Sequence, residues 1–99
     1  MAMTWEELVA EVTARHQVKE SKMFGMPCLK RENGKVVAGY WKDGGLTVRL
    51  VDEAQREAAL ALPGAQLFDP GMGRVMREWV HVPASQSDDW ERLVEQAVG

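Results

Sequence analysis

The side chains best suited to chemistry are one cysteine and two histidines. Cys28 is the only cysteine of the chain, and the histidines are His16 and His81. A cysteine thiol becomes a nucleophile beside a base in an electropositive, partly exposed setting. No local motif of a cysteine enzyme surrounds Cys28, and nothing in the sequence places either histidine next to it. We therefore expect Cys28 to be a small buried hydrophobe and the protein not to be an enzyme.

Metal and cofactor sites also lack their sequence motifs. His16 and His81 lie far apart, without the His-x-x-x-His or Cys-x-x-Cys spacing of metal sites. Residues 71–74 (Gly-Met-Gly-Arg) are not followed by the helix that a phosphate-binding loop requires. Asp88 and Asp89 are placed where acids cap a helix, so we do not interpret them as a catalytic pair. The sequence predicts no metal site, no catalytic residues and no cofactor.

Aromatic and basic side chains on one strand indicate a binding surface instead. The strand pattern over residues 75–82 places Arg77, Trp79 and His81 on the same face, beside Arg49 of a neighbouring strand. Tryptophan and arginine are enriched at interaction hot spots. We predict that these four residues form an interaction surface for a protein partner, and a second copy of the chain is one candidate. The alternative is that Trp79 packs in the core.

Nucleic-acid binding is the competing function. The chain has 99 residues, with 12 Lys and Arg against 15 Asp and Glu, for a net charge of -3. The segment 21–50 is nevertheless basic, and phosphate contacts need such a surface. Nucleic-acid-binding domains usually carry a stronger basic bias over the whole fold, so we favour the protein partner. The residues predicted for nucleic-acid contact are Lys22, Lys30, Arg31, Lys35 and Lys42.

Helices are predicted where a capping residue precedes an apolar stripe. Thr4 and Glu7 form a capping box, which begins the first helix. Asp52 caps a second, shorter helix, which residues 63–64 (Pro-Gly) end. A third helix begins at Ser87, because apolar residues then recur at helical spacing to the end of the chain.

Strands are predicted between these helices. Residues 22–50 contain short β-type runs separated by turn residues, and Asn33 with Gly34 predicts a two-residue hairpin turn. Residues 75–82 form the strongest later strand. The connections in the middle are too short for parallel crossovers. We therefore predict one domain over residues 1–99, an α+β fold of two layers in which helices cover one face of an antiparallel sheet.

The sequence also predicts the compartment. No apolar stretch approaches the roughly 20 residues that cross a bilayer, so we expect no membrane association. Acidic residues near the first methionine stand where a signal peptide would carry Lys or Arg. A single cysteine agrees with a reducing environment. We expect a cytoplasmic protein.

Four stretches carry a family resemblance. They are residues 22–29 (Lys-Met-Phe-Gly-Met-Pro-Cys-Leu), residues 34–39 with Gly-Lys and Ala-Gly, residues 61–70, and residues 76–83 (Met-Arg-Glu-Trp-Val-His-Val-Pro). In these stretches the chain resembles the TfoX/Sxy N-terminal domain family. The resemblance implies a small bacterial cytoplasmic α+β domain of regulatory, non-enzymatic character, without established catalytic residues.

The named members of that family regulate natural competence genes and carry a further C-terminal domain. This chain stops at Gly99, so the resemblance implies the fold and the regulatory character without the competence role. A second, weaker resemblance is to the YjbR/MmcQ family. It rests on the Gly-Lys-Val strand, the acidic helix after Leu50, and residues 79–82 followed by Trp90, and it implies DNA binding.

Overall fold

The chain folds into an antiparallel sheet of six strands with helices on one face. This computed structural model describes residues 3–23, 25–69 and 76–98. The predicted α+β class is confirmed. The elements are the helices α1 (Trp5–Arg15), α2 (Glu53–Leu60) and α3 (Trp90–Val98), the strands β1 (Val18–Met23), β2 (Met26–Arg31), β3 (Val36–Tyr40), β4 (Leu46–Arg49), β5 (Gln66–Phe68) and β6 (Met76–Val82), and a 3-10 helix at Ala84–Asp89.

The predicted caps begin the first two helices. Thr4 Oγ1 accepts from the Glu7 N–H at 3.1 Å, and Glu7 Oε1 accepts from the Thr4 N–H at 2.9 Å, which completes the capping box of α1. Asp52 Oδ1 accepts from the Gln55 N–H at 2.9 Å at the start of α2. Within the described residues, no helix is long and apolar enough to cross a membrane.

The third helix begins later than predicted. Ser87 lies inside the 3-10 helix, and α3 begins at Trp90. Asp88 and Asp89 therefore precede α3 rather than occupying its first turn. Asp89 instead accepts from the Arg92 guanidinium at 2.9 Å, three residues later. The apolar spacing of the third helix was informative, but it does not distinguish a 3-10 start from an α-helical one.

The sheet has the strand order β1-β2-β3-β4-β6-β5, and all described pairings are antiparallel. The predicted two-residue turn at Asn33 and Gly34 is wrong. The Arg31 N–H donates to the Lys35 carbonyl, and the Gly34 N–H donates to the Arg31 carbonyl, so three residues form the turn. Gly34 has a φ of 84°, the left-handed conformation that such turns require near their end.

One hydrophobic core lies between the helices and the sheet. Alternate residues of β4 and β6 face it, and each helix contributes to it. Because these side chains are almost fully buried, the core supplies most of the stability of a domain this small. Its residues are Trp5, Leu8, Val12, Val18, Leu29, Val37, Ala38, Leu46, Val48, Leu50, Ala59, Val80, Val82, Trp90, Leu93 and Val94.

The opposite side of the sheet, which we call the helix-free face, also buries side chains. Cys28, Thr47, Phe68 and Trp79 are at most 8% exposed, yet they lie outside the core that the helices share. They alternate along their strands with residues that face the helices. The central strands are therefore packed on both sides, which explains why residues 36–41 are apolar without alternation.

Candidate functional site

Cys28 and His81 lie in one row across the helix-free face. The register pairs Cys28 with Gly39, Gly39 with Thr47, and Thr47 with His81. Neighbouring strands lie about 4.8 Å apart, so three such steps separate Cys28 from His81 by about 14 Å. The thiol and the imidazole therefore cannot exchange a proton directly.

The surroundings of Cys28 keep its thiol protonated. The side chain is fully buried, as the sequence predicted. Burial raises the pKa of Cys28, and the charge of Lys30 and a hydrogen bond from the Ser21 backbone only partly oppose this effect. A protonated, inaccessible thiol is a poor nucleophile.

His16 belongs to a set of polar side-chain contacts that joins the end of α1 to α3. Its Nε2 lies 2.6 Å from Glu95 Oε1. The neighbouring Arg15 pairs with Glu91 and, at 3.2 Å, with Glu95 Oε2. His16 thus has a partner in α3 and stands apart from Cys28 and His81. Across residues 3–23, 25–69 and 76–98, no group of three or more His, Cys, Asp or Glu side chains is placed to hold a metal ion.

His81 forms a pair with Asp43, a residue that the sequence did not single out. His81 Nε2 lies 2.9 Å from Asp43 Oδ2, and the Gly45 N–H donates to Asp43 Oδ1 at 2.8 Å. Burial alone would raise the pKa of Asp43, but the Gly45 hydrogen bond and the His81 imidazole together hold it below its usual range. The pair joins the turn between β3 and β4 to strand β6.

A small cavity of about 230 Å³ opens beside this pair. His81 Nδ1 is buried and has no hydrogen-bond partner within the described part of the chain. The nitrogen that is left over after pairing with Asp43 thus faces the protein and not an approaching substrate. The geometry assigns the pair a structural role at the end of the sheet. The cavity is lined by Trp41, Asp43, Gln66, Phe68, Asp69 and His81.

Gly45 is the residue that permits the contact between Asp43 and His81. A Cβ atom at position 45 would lie 2.5 Å from His81 Nε2 and 3.1 Å from Asp43 Oδ1. Gly45→Ala is therefore expected to displace the imidazole and to lower the free energy of unfolding by roughly 1–3 kcal/mol. Urea denaturation at neutral pH measures this difference.

Comparing Gly45→Ala with the unaltered protein at acid pH tests whether the loss of stability comes from the contact between Asp43 and His81. A carboxyl group whose pKa is lowered by folding stabilises the fold above its unfolded value of about 3.9, and that contribution disappears as pH falls through the lower folded value. The difference between Gly45→Ala and the unaltered protein should shrink below about pH 4, leaving the steric part. A difference that is unchanged from neutral to strongly acid pH would show that the Asp43 pair contributes nothing.

The four residues predicted as an interaction surface do not form one exposed surface. Arg49 and Trp79 are direct neighbours in the register. Arg77 is exposed, but Trp79 is only 8% exposed, so its expected display on an open face is wrong. Trp79 stands on β6, which lies between β4 and β5 and so has a neighbouring strand on each side. Arg49 pairs with Glu78 at 2.9 Å, and the side chain of His81 is 14% exposed.

A groove of about 670 Å³ lies beside Arg77 and Trp79. Val51, at its edge, is 61% exposed and is the only large apolar side chain that the described residues leave open to this extent. Arg56, at the first turn of α2, donates to the carbonyls of Leu50 and Val51. The groove is lined by Val51, Glu53, Arg56, Met76, Arg77, Glu78 and Trp79.

A sequence signal for Val51 exists in the cap of α2. Val51 directly precedes the capping residue Asp52, a position whose apolar side chain often packs on the residue four places into the helix. That residue is Arg56, so Val51 has no apolar partner within its own helix. The sequence signal is therefore an apolar residue before the cap whose usual partner position in the helix holds a charged residue.

The residues predicted for nucleic-acid contact lie at different ends of the sheet. Lys22 and Lys42 lie at the end with the β1–β2 and β3–β4 connections. Arg31 and Lys35 flank the β2–β3 turn at the opposite end. Lys30 lies on β2 near Arg31 and is half-buried. The antiparallel arrangement thus divides the basic segment into two groups instead of one patch.

Two of these basic side chains also have contacts within the protein. Arg31 donates to the carbonyls of Ala97 and Val98 at the end of α3, where a cation is favoured by the helix dipole. Lys42 Nζ lies 5.4 Å from the centre of the Trp41 ring, within the range of a cation–π contact. Both side chains would have to give up these contacts in order to bind a phosphate group.

The stretches that resemble the TfoX/Sxy family are residues 22–29, 34–39, 61–70 and 76–83, and the structure describes all of them except residues 24 and 70. The Met-Phe-Gly motif includes residue 24, and the segment 61–70 includes residue 70, which both lie outside the described residues. The chain matches no protein-family model, no curated protein and no solved structure, so both resemblances stay predictions.

Proposed function

We propose that this protein is a non-enzymatic interaction module, which binds a protein partner through the groove between α2 and β6. The observation that carries the proposal is Val51, whose side chain is 61% exposed at the edge of a groove that Trp79 also lines. An apolar side chain costs free energy when it faces water, and a partner that covers it recovers that cost. The regulatory, cytoplasmic character that the TfoX/Sxy resemblance implies is part of this proposal.

The charges around the groove define the partner. Glu78 is paired with Arg49, and Arg56 donates to backbone carbonyls. Glu53 and Arg77 make no ion pair with a described residue. An apolar centre with charged groups at the rim has the composition of transient protein interfaces. The partner should present an apolar side chain between a basic group, which faces Glu53, and an acidic group, which faces Arg77.

Nucleic-acid binding is less well supported by the structure. The basic residues lie at two ends of the sheet, whereas a duplex or single strand is bound along a continuous basic surface. The groove itself carries both signs of charge. We therefore propose a protein partner and treat nucleic-acid binding as an outcome that the experiment can reveal.

Val51→Asp is expected to weaken partner binding at least about tenfold, because a buried carboxylate would replace an apolar contact. The probe is a displayed peptide library selected against the protein. It should return peptides with an apolar residue flanked by charges of opposite sign. Fluorescence titration gives their affinities, and NMR shifts of the Val51 methyl groups report the site of binding.

Ala84→Asp is the matched control, because it adds the same charge at an exposed position in the 3-10 helix, outside the groove. It should leave peptide affinity unchanged, and both variants should keep their stability within about 0.5 kcal/mol. Equal affinity of the selected peptides for Val51→Asp and the unaltered protein would refute the groove. Binding of duplex DNA that weakens steeply with salt, without any selected peptide, would favour the nucleic-acid function.

A further inference from the structure

Strand β1 is an unpaired edge of the sheet. It pairs with β2 on one side and has no strand on the other within the described residues. Six residues form it, which is long enough to accept another strand, and proline is absent from it. The opposite edge, β5, has only three residues. An edge of this length offers a row of backbone donors and acceptors to an added strand.

The hairpin geometry shows which residues of β1 offer these groups. Met23 pairs with Met26, and two positions separate them along the chain. In such a hairpin the closing pair exchanges backbone hydrogen bonds, and every second pair after it does so again. Lys22, opposite Pro27, and Glu20 therefore belong to pairs without hydrogen bonds. Their N–H and C=O groups point to the free edge, and proline has no N–H to offer Lys22.

The charges of β1 are complementary to those of a second, antiparallel copy. We infer that two copies of this chain associate through β1, related by a two-fold axis at Ser21. In this register Glu20 of each copy lies opposite Lys22 of the other. Two opposite-charge pairs then form across the axis, in the same positions where both strands offer backbone hydrogen bonds.

The neighbouring registers do not fit. A two-fold axis at Glu20 would place two glutamates opposite each other, and an axis at Lys22 would do the same for two lysines. An axis between Glu20 and Ser21 would place Glu20, whose backbone groups point to the free edge, opposite Ser21, whose backbone groups point to β2. The axis at Ser21 is thus the register of β1 that satisfies both charge and hydrogen bonding.

The surroundings of β1 leave room for the added strand. A concavity of about 320 Å³ is lined by Glu20, Ser21, Lys22 and Pro27. Glu20 Oε2 accepts from Trp5 Nε1 at 3.0 Å, which fixes the carboxylate beside the edge. Lys22 is exposed and makes no ion pair with a described residue. A lysine on an edge strand opposes pairing with any strand that has no acidic residue opposite it. Lys22 therefore disfavours other strands and favours a second copy of β1, which places Glu20 opposite it.

This inference is independent of the groove. Strands β2, β3 and β4 lie between β1 and β6, so one surface can be altered without touching the other. A failure of self-association would leave the proposed partner binding as it stands, and the reverse also holds.

Charge reversal tests the register. Lys22→Glu places two glutamates opposite each other at both paired positions and is expected to weaken dimerisation on the order of 10- to 100-fold. Glu20→Lys should do the same by placing lysines opposite each other. An equimolar mixture of the two variants restores both opposite-charge pairs and should dimerise again. Sedimentation velocity over a range of concentrations measures all of these states.

Lys19→Glu is the matched control, because it changes the charge by the same amount on the other face of β1. It should dimerise like the unaltered protein. Glu20→Lys also loses the bond from Trp5, so chemical denaturation must show that this variant is folded. A protein that is monomeric at millimolar concentration overturns the inference. So does a dimer that Lys22→Glu leaves intact, or two variants that stay monomeric when mixed.

Discussion

Replacing Trp79 by alanine is expected to lower the free energy of unfolding by about 3–5 kcal/mol. The indole is 8% exposed and lies on a strand that has neighbours on both sides. Its removal leaves a cavity on the helix-free face, next to other buried side chains. Urea denaturation of the variant and of the unaltered protein measures the loss.

Arg77→Ala is the control for this experiment. Arg77 lies two residues from Trp79 on the same strand and is exposed without an ion pair to a described residue. Its removal should change stability by less than about 0.5 kcal/mol. A loss below about 1 kcal/mol for Trp79→Ala would contradict the packing of the indole, because a buried tryptophan cannot be truncated at so small a cost. The contrast separates the stabilising residue from the residue that is free to contact a partner.

Trp90→Ala is expected to be similarly severe, with a loss of about 3–5 kcal/mol. Trp90 begins α3, is 2% exposed and belongs to the core. Trp90→Phe should cost much less. The Trp90 Nε1 is buried without a hydrogen-bond partner in the described structure, so phenylalanine removes an unpaired donor together with part of the ring.

Trp5→Phe provides the matched comparison. Trp5 is also in the core, but its Nε1 donates to Glu20 Oε2 at 3.0 Å. Phenylalanine at this position loses a hydrogen bond to a charged group, so Trp5→Phe should cost about 1 kcal/mol more than Trp90→Phe. Equal losses, measured by chemical denaturation of both variants, would contradict the assignment of Trp90 Nε1 as unpaired.

The starts of the first two helices were predictable because caps are local. Thr4 with Glu7, and Asp52 with Gln55, bond over three residues, so spacing alone identifies them. Strand β1 was not predicted over its full length. Its sequence Val-Lys-Glu-Ser-Lys-Met has little β propensity and no alternation, and its pairing with β2 determines its structure.

The candidate sites depended on contacts over long sequence distances. The sequence predicted Arg49 beside Trp79 from strand alternation and a neighbouring strand, and the register confirms this pair. It did not predict the burial of Trp79, since alternation assigns a side chain to a face without saying what else lies there. The pair of His81 with Asp43 joins residues 38 positions apart, so no local pattern contains it.

The ion pairs between Arg15 and the glutamates of α3 lie where the two ends of the described chain meet, and this closure affects the rate of folding. Arg15 and Glu91 are 76 positions apart, and the helices that they join pack on each other in the same core. Contacts of such long range cost more loop-closure entropy than local contacts, and a high share of them slows folding. Because α1 precedes α3 along the chain, α3 cannot cover the apolar stripe of Leu8 and Val12 until it has itself left the ribosome. Until then the core that α1 and α3 share stays incomplete, and transiently exposed apolar surface of this kind makes a folding chain prone to aggregation.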